Sequence, residues 1–498
     1  MFNLIDERWI PVECLSGNVR MIAPWEISDR EDPPVHVAFS RPDMNSAIVQ
    51  FLIGLVQTAA APVDVYEWMD LLEEPLPPAE LRRKFEAVRG AFELFSDAAP
   101  FMQQVDIEPD KSISMLLATS PGENTLKLNK DFFIKRCMEK VCLCPSCAAA
   151  ALYTFQTIGP MGGRGQRGSM RGMCPMTVVM ECGDLYSTVM LNVISLNYFG
   201  NEDESKITFT WVNGPCPEDM PISHANPSAI YWTTVKRLRL GQISEGVCML
   251  CGHIGDVVAS CGQKPRGTQY VNWKYPLCPY VIKDGKIKHM QASSAIAHLN
   301  QWMPLLFEGF SDVEPATNVK QAMANAEELR DIRAVSDAKV WISGYVNKQA
   351  LPEEWVDVHE PSPIQYSKSE LVNVKSSVRA ILRLSDYGDN RLYAAVKKLS
   401  DSREPGKSRK TVTIPSSIID EYWNTLDMQF LSIQKRLNNP EEVAHIWADM
   451  VRETVNSAFD RCVETIDFDH YRNVISAKDK LRSDFSDKAI AKVLNKNE

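Results

Sequence analysis

Two cysteine pairs constrain this chain more than any other feature. Cys144 and Cys147 stand in C-P-S-C, and Cys248 and Cys251 stand in C-M-L-C. Each pair has the spacing of a metal knuckle, and four thiolates suit a tetrahedral zinc ion. The pairs lie about 100 residues apart, so one ion would close a long loop. Four sulfur ligands leave no open coordination position, so the expected metal is a structural zinc rather than a catalytic one. Metal-free buried thiols are the alternative. Cys142 offers a second register ahead of Cys147, and His253 and Cys261 are conceivable substitutes.

The first pair runs into an alanine-rich, helix-like stretch and then into G-P-M-G-G-R-G-Q-R-G-S-M-R, from Gly159 to Arg171. No acidic residue occurs between Ala148 and Arg171. Glycines let a backbone approach another chain closely. Arg164, Arg167 and Arg171 supply charge and bidentate donors for phosphate or base edges. The expectation is a loop that touches something anionic, with an ordinary connector as the alternative. Gly163 to Gly168 spells G-x-G-x-x-G, but a helix-like stretch precedes it and poor helix sequence follows, so a dinucleotide site is not expected. No Lys-Ser or Lys-Thr follows Gly168, which excludes a phosphate loop of the Walker type. The second pair leads into a basic, aromatic segment with Lys264, Arg266, Tyr270, Trp273, Lys274 and Tyr275.

A chain of 498 residues can hold two to four domains with sizeable cores. Its formal net charge of -10 gives no bulk attraction to nucleic acid, so any such binding needs a local patch or a partner. The start, M-F-N-L-I-D-E-R-W, has acidic residues and no apolar core of a signal peptide. A cytoplasmic protein is expected, with its 13 cysteines as thiols and metal ligands rather than disulfides. The apolar stretch Ala47 to Val63 is too short to span a bilayer. There is no H-E-x-x-H, no nucleophile elbow and no kinase set, and no catalytic constellation can be assembled.

The expected fold class is α+β: a large mixed α/β N-terminal domain with the zinc knuckle over residues 1–362, then an all-α four-helix bundle over 363–498. Asn3 to Val12 reads as a strand. Asp43 could cap a helix in which Ile48, Phe51, Leu52, Leu55 and Val56 follow helical spacing. Glu80 to Phe95 reads as amphipathic helix, and Asn318 to Ala334 as helix. S-T-V-M-L-N-V-I-S-L, from Ser187 to Leu196, reads as a β-rich run. A hairpin should turn at Asp284-Gly285, and Val340 to Val346 should be a strand leading to Asn347-Lys348-Gln349. The character changes at Pro361-Ser-Pro363. Amphipathic runs follow at Ser369 to Leu384 (extended by Arg391 to Leu399), Ile418 to Leu437, from Pro440 onward, and Tyr471 to Leu494.

Several of these stretches together carry a resemblance. N-L-I-D-E-R-W-I-P-V at Asn3 to Val12, P-F-M-Q at Pro100 to Gln103 and C-P-S-C-A-A-A-A-L at Cys144 to Leu152 resemble the CasA large subunit of type I-E Cascade. So do the glycine loop, Ser187 to Leu196, G-V-C-M-L-C-G, and Y-V-N-K-Q-A at Tyr345 to Ala350. The resemblance implies a non-enzymatic subunit of an RNA-guided surveillance complex. Its partners would be the other Cascade subunits, the CRISPR RNA, double-stranded target DNA and a helicase–nuclease, with no membrane. It would recognise the protospacer-adjacent motif, a short duplex tag, start unwinding, and recruit the nuclease. The alternative is a zinc-dependent nucleic-acid hydrolase, which would need an open metal position. By resemblance, the glycine loop with Gly159, Met161, Gly162, Gly163 and Arg164 approaches the minor groove. Lys264 is its lysine finger, and Gln349, beside Asn347 and Lys348, its wedge. A loop near Leu126 and Asn129 would contact the CRISPR RNA handle.

Overall fold

Phe51 marks the centre of the core. It lies on the helix Pro42–Ala59, whose residues Ile48, Val49, Phe51, Leu52, Ile53, Leu55 and Val56 are all buried. An apolar surface on every side is what a helix at the middle of a large domain requires. Trp9, Phe92, Phe101, Tyr153 and Trp232 meet the Phe51 ring edge-on at centroid distances of 5.4 to 6.0 Å. Such pairs contribute roughly 0.5–1.5 kcal/mol each beyond simple burial. Asp43 is not the cap but sits in the first turn, where it accepts from Met44 N and binds the Arg41 guanidinium and the Tyr345 hydroxyl. The computed structural model describes residues 2–118, 141–160, 166–201, 203, 205–212, 214, 216–348, 351–399, 416–465 and 471–495.

The described residues form two compact units, Met1–Ser294 with Asp312–Gln365, and Ala295–Ser311 with Tyr366–Glu498. The first unit is built from helices and small sheets. Ile10–Cys14 pairs with Val19–Ile22 and Pro34–Val37. Ser260–Lys264 lies between Lys111–Ser112 and Arg237–Leu240. Thr177–Glu181 pairs with Lys339–Lys348, which forms a long antiparallel hairpin with Leu351–Pro361. Ile243–Val247 and Ile254–Val258 make a separate hairpin. Tyr280–Lys283 turns into Lys286–His289 at Asp284 and Gly285, both at positive φ, as the sequence predicts.

Asn318 to Ala334 forms two short helices, Thr317–Ala324 and Ala326–Leu329, and three further expectations for this unit need correction. Ser187 to Leu196 is not a strand: Leu185–Leu191 is helical, because Asp184 caps it by accepting from Ser187 N at 2.8 Å. Its β-branched residues follow that cap and the buried packing rather than their intrinsic preference. The first strand begins only at Ile10, since residues 4–6 form a turn. Glu80 to Phe95 is a short helix, Pro78–Phe85, followed by the 3-10 turn Glu86–Ala91.

The second unit contains the helices Lys368–Leu399, Ser416–Ile433, Pro440–Thr465, Tyr471–Asp484 and Asp487–Leu494. The last two occupy the single run expected from Tyr471 onward, broken at Phe485–Ser486. Lys368–Leu399 is one continuous helix although Gly388 lies inside it. The glycine is needed for close approach: an added Cβ would collide with the Tyr422 hydroxyl and lie 2.5 Å from Val451 Cγ1. That hydroxyl cannot swing away freely, because it donates to Ser385 O at 2.7 Å. Gly388→Ala should therefore lower stability by about 1–3 kcal/mol despite its better helix propensity. A lower denaturant midpoint in chemical unfolding checks this. No described helix is long and apolar enough to cross a membrane.

Candidate metal centre and nucleic-acid interface

Cys144 is the N-cap residue of the helix Pro145–Thr157, and Cys147 lies in its first turn. Cys248 and Cys251 occupy the turn between Ile243–Val247 and Ile254–Val258, closed by Gly252 N to Cys248 O at 2.9 Å. Leu143 and Val258 exchange backbone hydrogen bonds at 2.8 and 2.9 Å, which brings the two knuckles together. The four Sγ atoms all lie within 4.8 Å of one another. Cys144 Sγ and Cys251 Sγ are 3.6 Å apart, against about 3.8 Å for the edge of a sulfur tetrahedron at zinc bond length. The residues present thus fit a tetrahedral metal ion.

Contacts with Cys144 and Cys248, together with burial, push the Cys147 thiol far above its usual range. Four crowded thiols ionise together only with a cation among them. Cys142 lies outside the cluster, and its carbonyl accepts from Met249 N at 2.9 Å. Cys261 points its thiol at Ser112 O, and His253 is exposed outside the cluster.

The described part of the glycine-rich segment runs to Gly159 and Pro160, both buried, and resumes at Gln166. Gly159 has to be glycine, because a Cβ there would strike the Phe155 carbonyl oxygen. Met161, Gly162, Gly163 and Arg164 lie outside the described residues, as do Gln349, Leu126 and Asn129. The two described arginines differ from expectation. Arg167 is tied down, donating to Asp219 Oδ1 at 2.9 Å and Glu218 O at 2.8 Å. Arg171 is buried over the Tyr275 ring at 4.4 Å and donates to Thr177 Oγ1 at 3.1 Å. Tyr270, Trp273 and Tyr275 are core residues rather than an exposed stacking platform.

Lys264 ends the strand Ser260–Lys264, opposite Arg237. Its ammonium is about half exposed and donates to Asp106 O at 2.8 Å and Asp106 Oδ2 at 3.2 Å. Arg237 donates to the same carboxylate at 2.9 Å. Burial acts against ionisation of Asp106, but Lys264 and Arg237 win and hold it below the ordinary carboxylate value. Next door, Gln263 Nε2 donates to Gln166 Oε1 at 3.1 Å. The structure therefore brings Lys264 and the returning end of the glycine segment together. Asn347 and Lys348 close the long hairpin, Lys348 pairing with Leu351. Both polar atoms of the Asn347 amide are buried. Cys174 interacts with that amide and with Lys236, while burial pushes its thiol up to about 12.

Lys236 was not among the candidates read from the sequence, although a signal was present. In V-K-R-L-R-L it shares strand parity with Leu238 and Leu240, which puts it on the inward face. All three are buried. Its ammonium donates to Pro160 O and Arg167 O at 2.9 Å and to Gly168 O at 2.5 Å. Burial pushes this lysine down to about 7, while three carbonyls favour the charged form.

The family model described as CRISPR-associated protein Cse1 matches residues 3–460. The chain belongs to the Cse1 family. Solved Cse1 structures share its fold at low identity. CasA from Thermus thermophilus is 17% identical with a TM-score of 0.72, over 100% of each chain. Cse1 from Acidimicrobium ferrooxidans is 16% identical with a TM-score of 0.72, over 99% of this chain and 98% of that one. A chain of a CRISPR RNA-guided surveillance complex is 14% identical with a TM-score of 0.70, over 97% and 99%. The α+β class and the helical C-terminal region are thus those of the Cse1 fold.

Proposed function

We propose that this chain is the large subunit of a type I-E Cascade. In that role it recognises the protospacer-adjacent motif through the minor groove of duplex DNA, starts unwinding for CRISPR RNA pairing, and recruits the separate helicase–nuclease. Family membership supports the complex. The observation that carries the tag-reading role is the convergence of Lys264 with both described ends of the glycine-rich segment, through Gln166–Gln263 and through Lys236 next to Arg237.

The minor groove offers mainly acceptors, and its code is degenerate. A half-exposed lysine donor suits it and reads several tags. Glycine backbone at Gly162 and Gly163 suits close approach to the groove floor, and Gly159, buried against Phe155, sets where that stretch begins. At the hairpin end, Gln349 supplies an amide that both donates and accepts and can replace lost base-pair bonds, Lys348 adds a donor beside it, and Asn347, whose amide is buried, supports them from within. Leu126 and Asn129 are proposed for the RNA handle. Sequence of the long target is left to RNA pairing. A zinc ion on Cys144, Cys147, Cys248 and Cys251 would be structural, since the four sulfurs fill its tetrahedron. The same closure gives the hydrolase reading no metal position for water.

Lys264 gives two of its three donors to Asp106 and keeps one for DNA, while the Asp106 carboxylate repels the phosphates. Asp106→Asn should raise affinity for duplex of any tag by roughly two- to tenfold and reduce the preference between tags. It should also steepen the salt dependence by about one counterion. Binding of the assembled complex to tagged and scrambled duplexes at several salt concentrations checks this. Selection from a library of randomised tags tests the function itself, and indifference to the tag would refute it.

A further inference from the structure

Lys236 has no exposed surface, and among the described residues no carboxylate pairs with it. A buried ammonium without an anion is costly and calls for a reason. All three of its donors go to backbone carbonyls, on both sides of the glycine-rich segment. Pro160 is the last described residue before residues 161–165, and Arg167 and Gly168 follow soon after. The Phe155 ring lies 4.6 Å from the ammonium and closes its remaining side.

The lysine is itself held from two directions. Its backbone N–H donates to Gln156 Oε1 at 2.9 Å, and Gln156 Nε2 donates to its carbonyl at 2.7 Å. Gln156 belongs to the helix Pro145–Thr157, which starts on the cysteine cluster. The next residue, Arg237, lies opposite Lys264 and shares Asp106 with it. One buried cation therefore connects the root of the glycine segment to the strand pair that carries Lys264.

We infer that Lys236 is a positioning residue for tag recognition: it fixes Pro160 on one flank of the glycine-rich segment, and Arg167 and Gly168 on the other, relative to Lys264. This rests on the tag-reading role proposed above. A single cation shared by three carbonyls sets that spacing more tightly than separate waters at an exposed loop root would. Gly168 contributes to the same geometry, since a Cβ there would lie 2.5 Å from Gly172 O.

The test uses the whole complex assembled with a Lys236→Met chain, with Lys264→Ala as reference. Dissociation constants are measured for duplex carrying the best tag from the library, for duplex with that tag scrambled, and for pre-melted target. Lys236→Met should weaken the tagged duplex roughly ten- to a hundredfold, and leave scrambled duplex, pre-melted target and metal content unchanged. Equal weakening of tagged and pre-melted targets would mean a general structural role and overturn the inference. So would wild-type binding by Lys236→Met where Lys264→Ala loses tag dependence, and the tag-reading role would then stand. If neither variant changes tag dependence, that role fails and the inference falls with it. Should Lys236→Met not assemble, Gly168→Ala perturbs the same carbonyl cage from the backbone side. Full tag dependence in an assembled Gly168→Ala complex overturns the inference.

Discussion

A Cys147→Ser chain should carry almost no zinc, where the parent should carry one ion, and should melt on the order of ten degrees lower. The size follows from what the clamp joins. Cys144 and Cys147 stand at the start of the helix Pro145–Thr157, and Cys248 and Cys251 at the tip of a two-stranded hairpin. Cross-linking points separated by a loop of ~100 residues contributes about 4.7 kcal/mol in the chain-entropy picture. Isolated zinc-finger peptides gain about 10–16 kcal/mol from the metal because they have little other core, whereas this chain also has the aromatic core around Phe51. With about 2–4 °C per kcal/mol even for smaller domains, a shift near ten degrees is a modest expectation. Metal analysis beside a thermal scan measures both quantities. Cys142→Ser and Cys261→Ser are the controls and should change neither, since their thiols lie outside the cluster. Full zinc content in Cys147→Ser would remove the clamp from the account.

Lys264→Ala should cost the assembled complex about 1–3 kcal/mol of discrimination between the best tag and a scrambled one, roughly ten- to a hundredfold. Pre-melted target should bind as before, because its pairing needs no tag. The effect should exceed that of removing an ordinary surface lysine, since this ammonium is held in place by two Asp106 oxygens before DNA arrives. Less motion is then lost on binding. Lys264→Arg should not fully rescue, because a planar guanidinium cannot take both Asp106 oxygens and a groove acceptor in the same geometry. Unaltered tag discrimination in Lys264→Ala would end the proposed minor-groove role.

The parts of the fold that were legible in the sequence are those set by local chemistry. Asp284-Gly285 dictates its turn because both positions need positive φ. The cysteine spacing gives the knuckles, and the long amphipathic runs after Pro363 give the C-terminal helices. Ser187 to Leu196 misleads because its β-branched residues outweigh one capping aspartate, Asp184, that lies just before the run. Arg171 looks like a ligand-binding arginine in a glycine-rich stretch, yet tertiary packing places it over Tyr275. Asp106 left no trace in the sequence, since its meaning comes only from the pairing of Lys264 with Arg237. Lys236 was readable from strand parity, but its role needed the carbonyls of Pro160, Arg167 and Gly168 in space.

The cluster also sets a timetable for biosynthesis. Its first pair emerges from the ribosome about a hundred residues before the second. At about 5–20 residues per second, Cys144 and Cys147 wait roughly 5–20 s for their partners. During that interval a half-built knuckle is open to oxidation and to the wrong metal, so low zinc supply or oxidative stress should act on the nascent chain far more than on the finished protein.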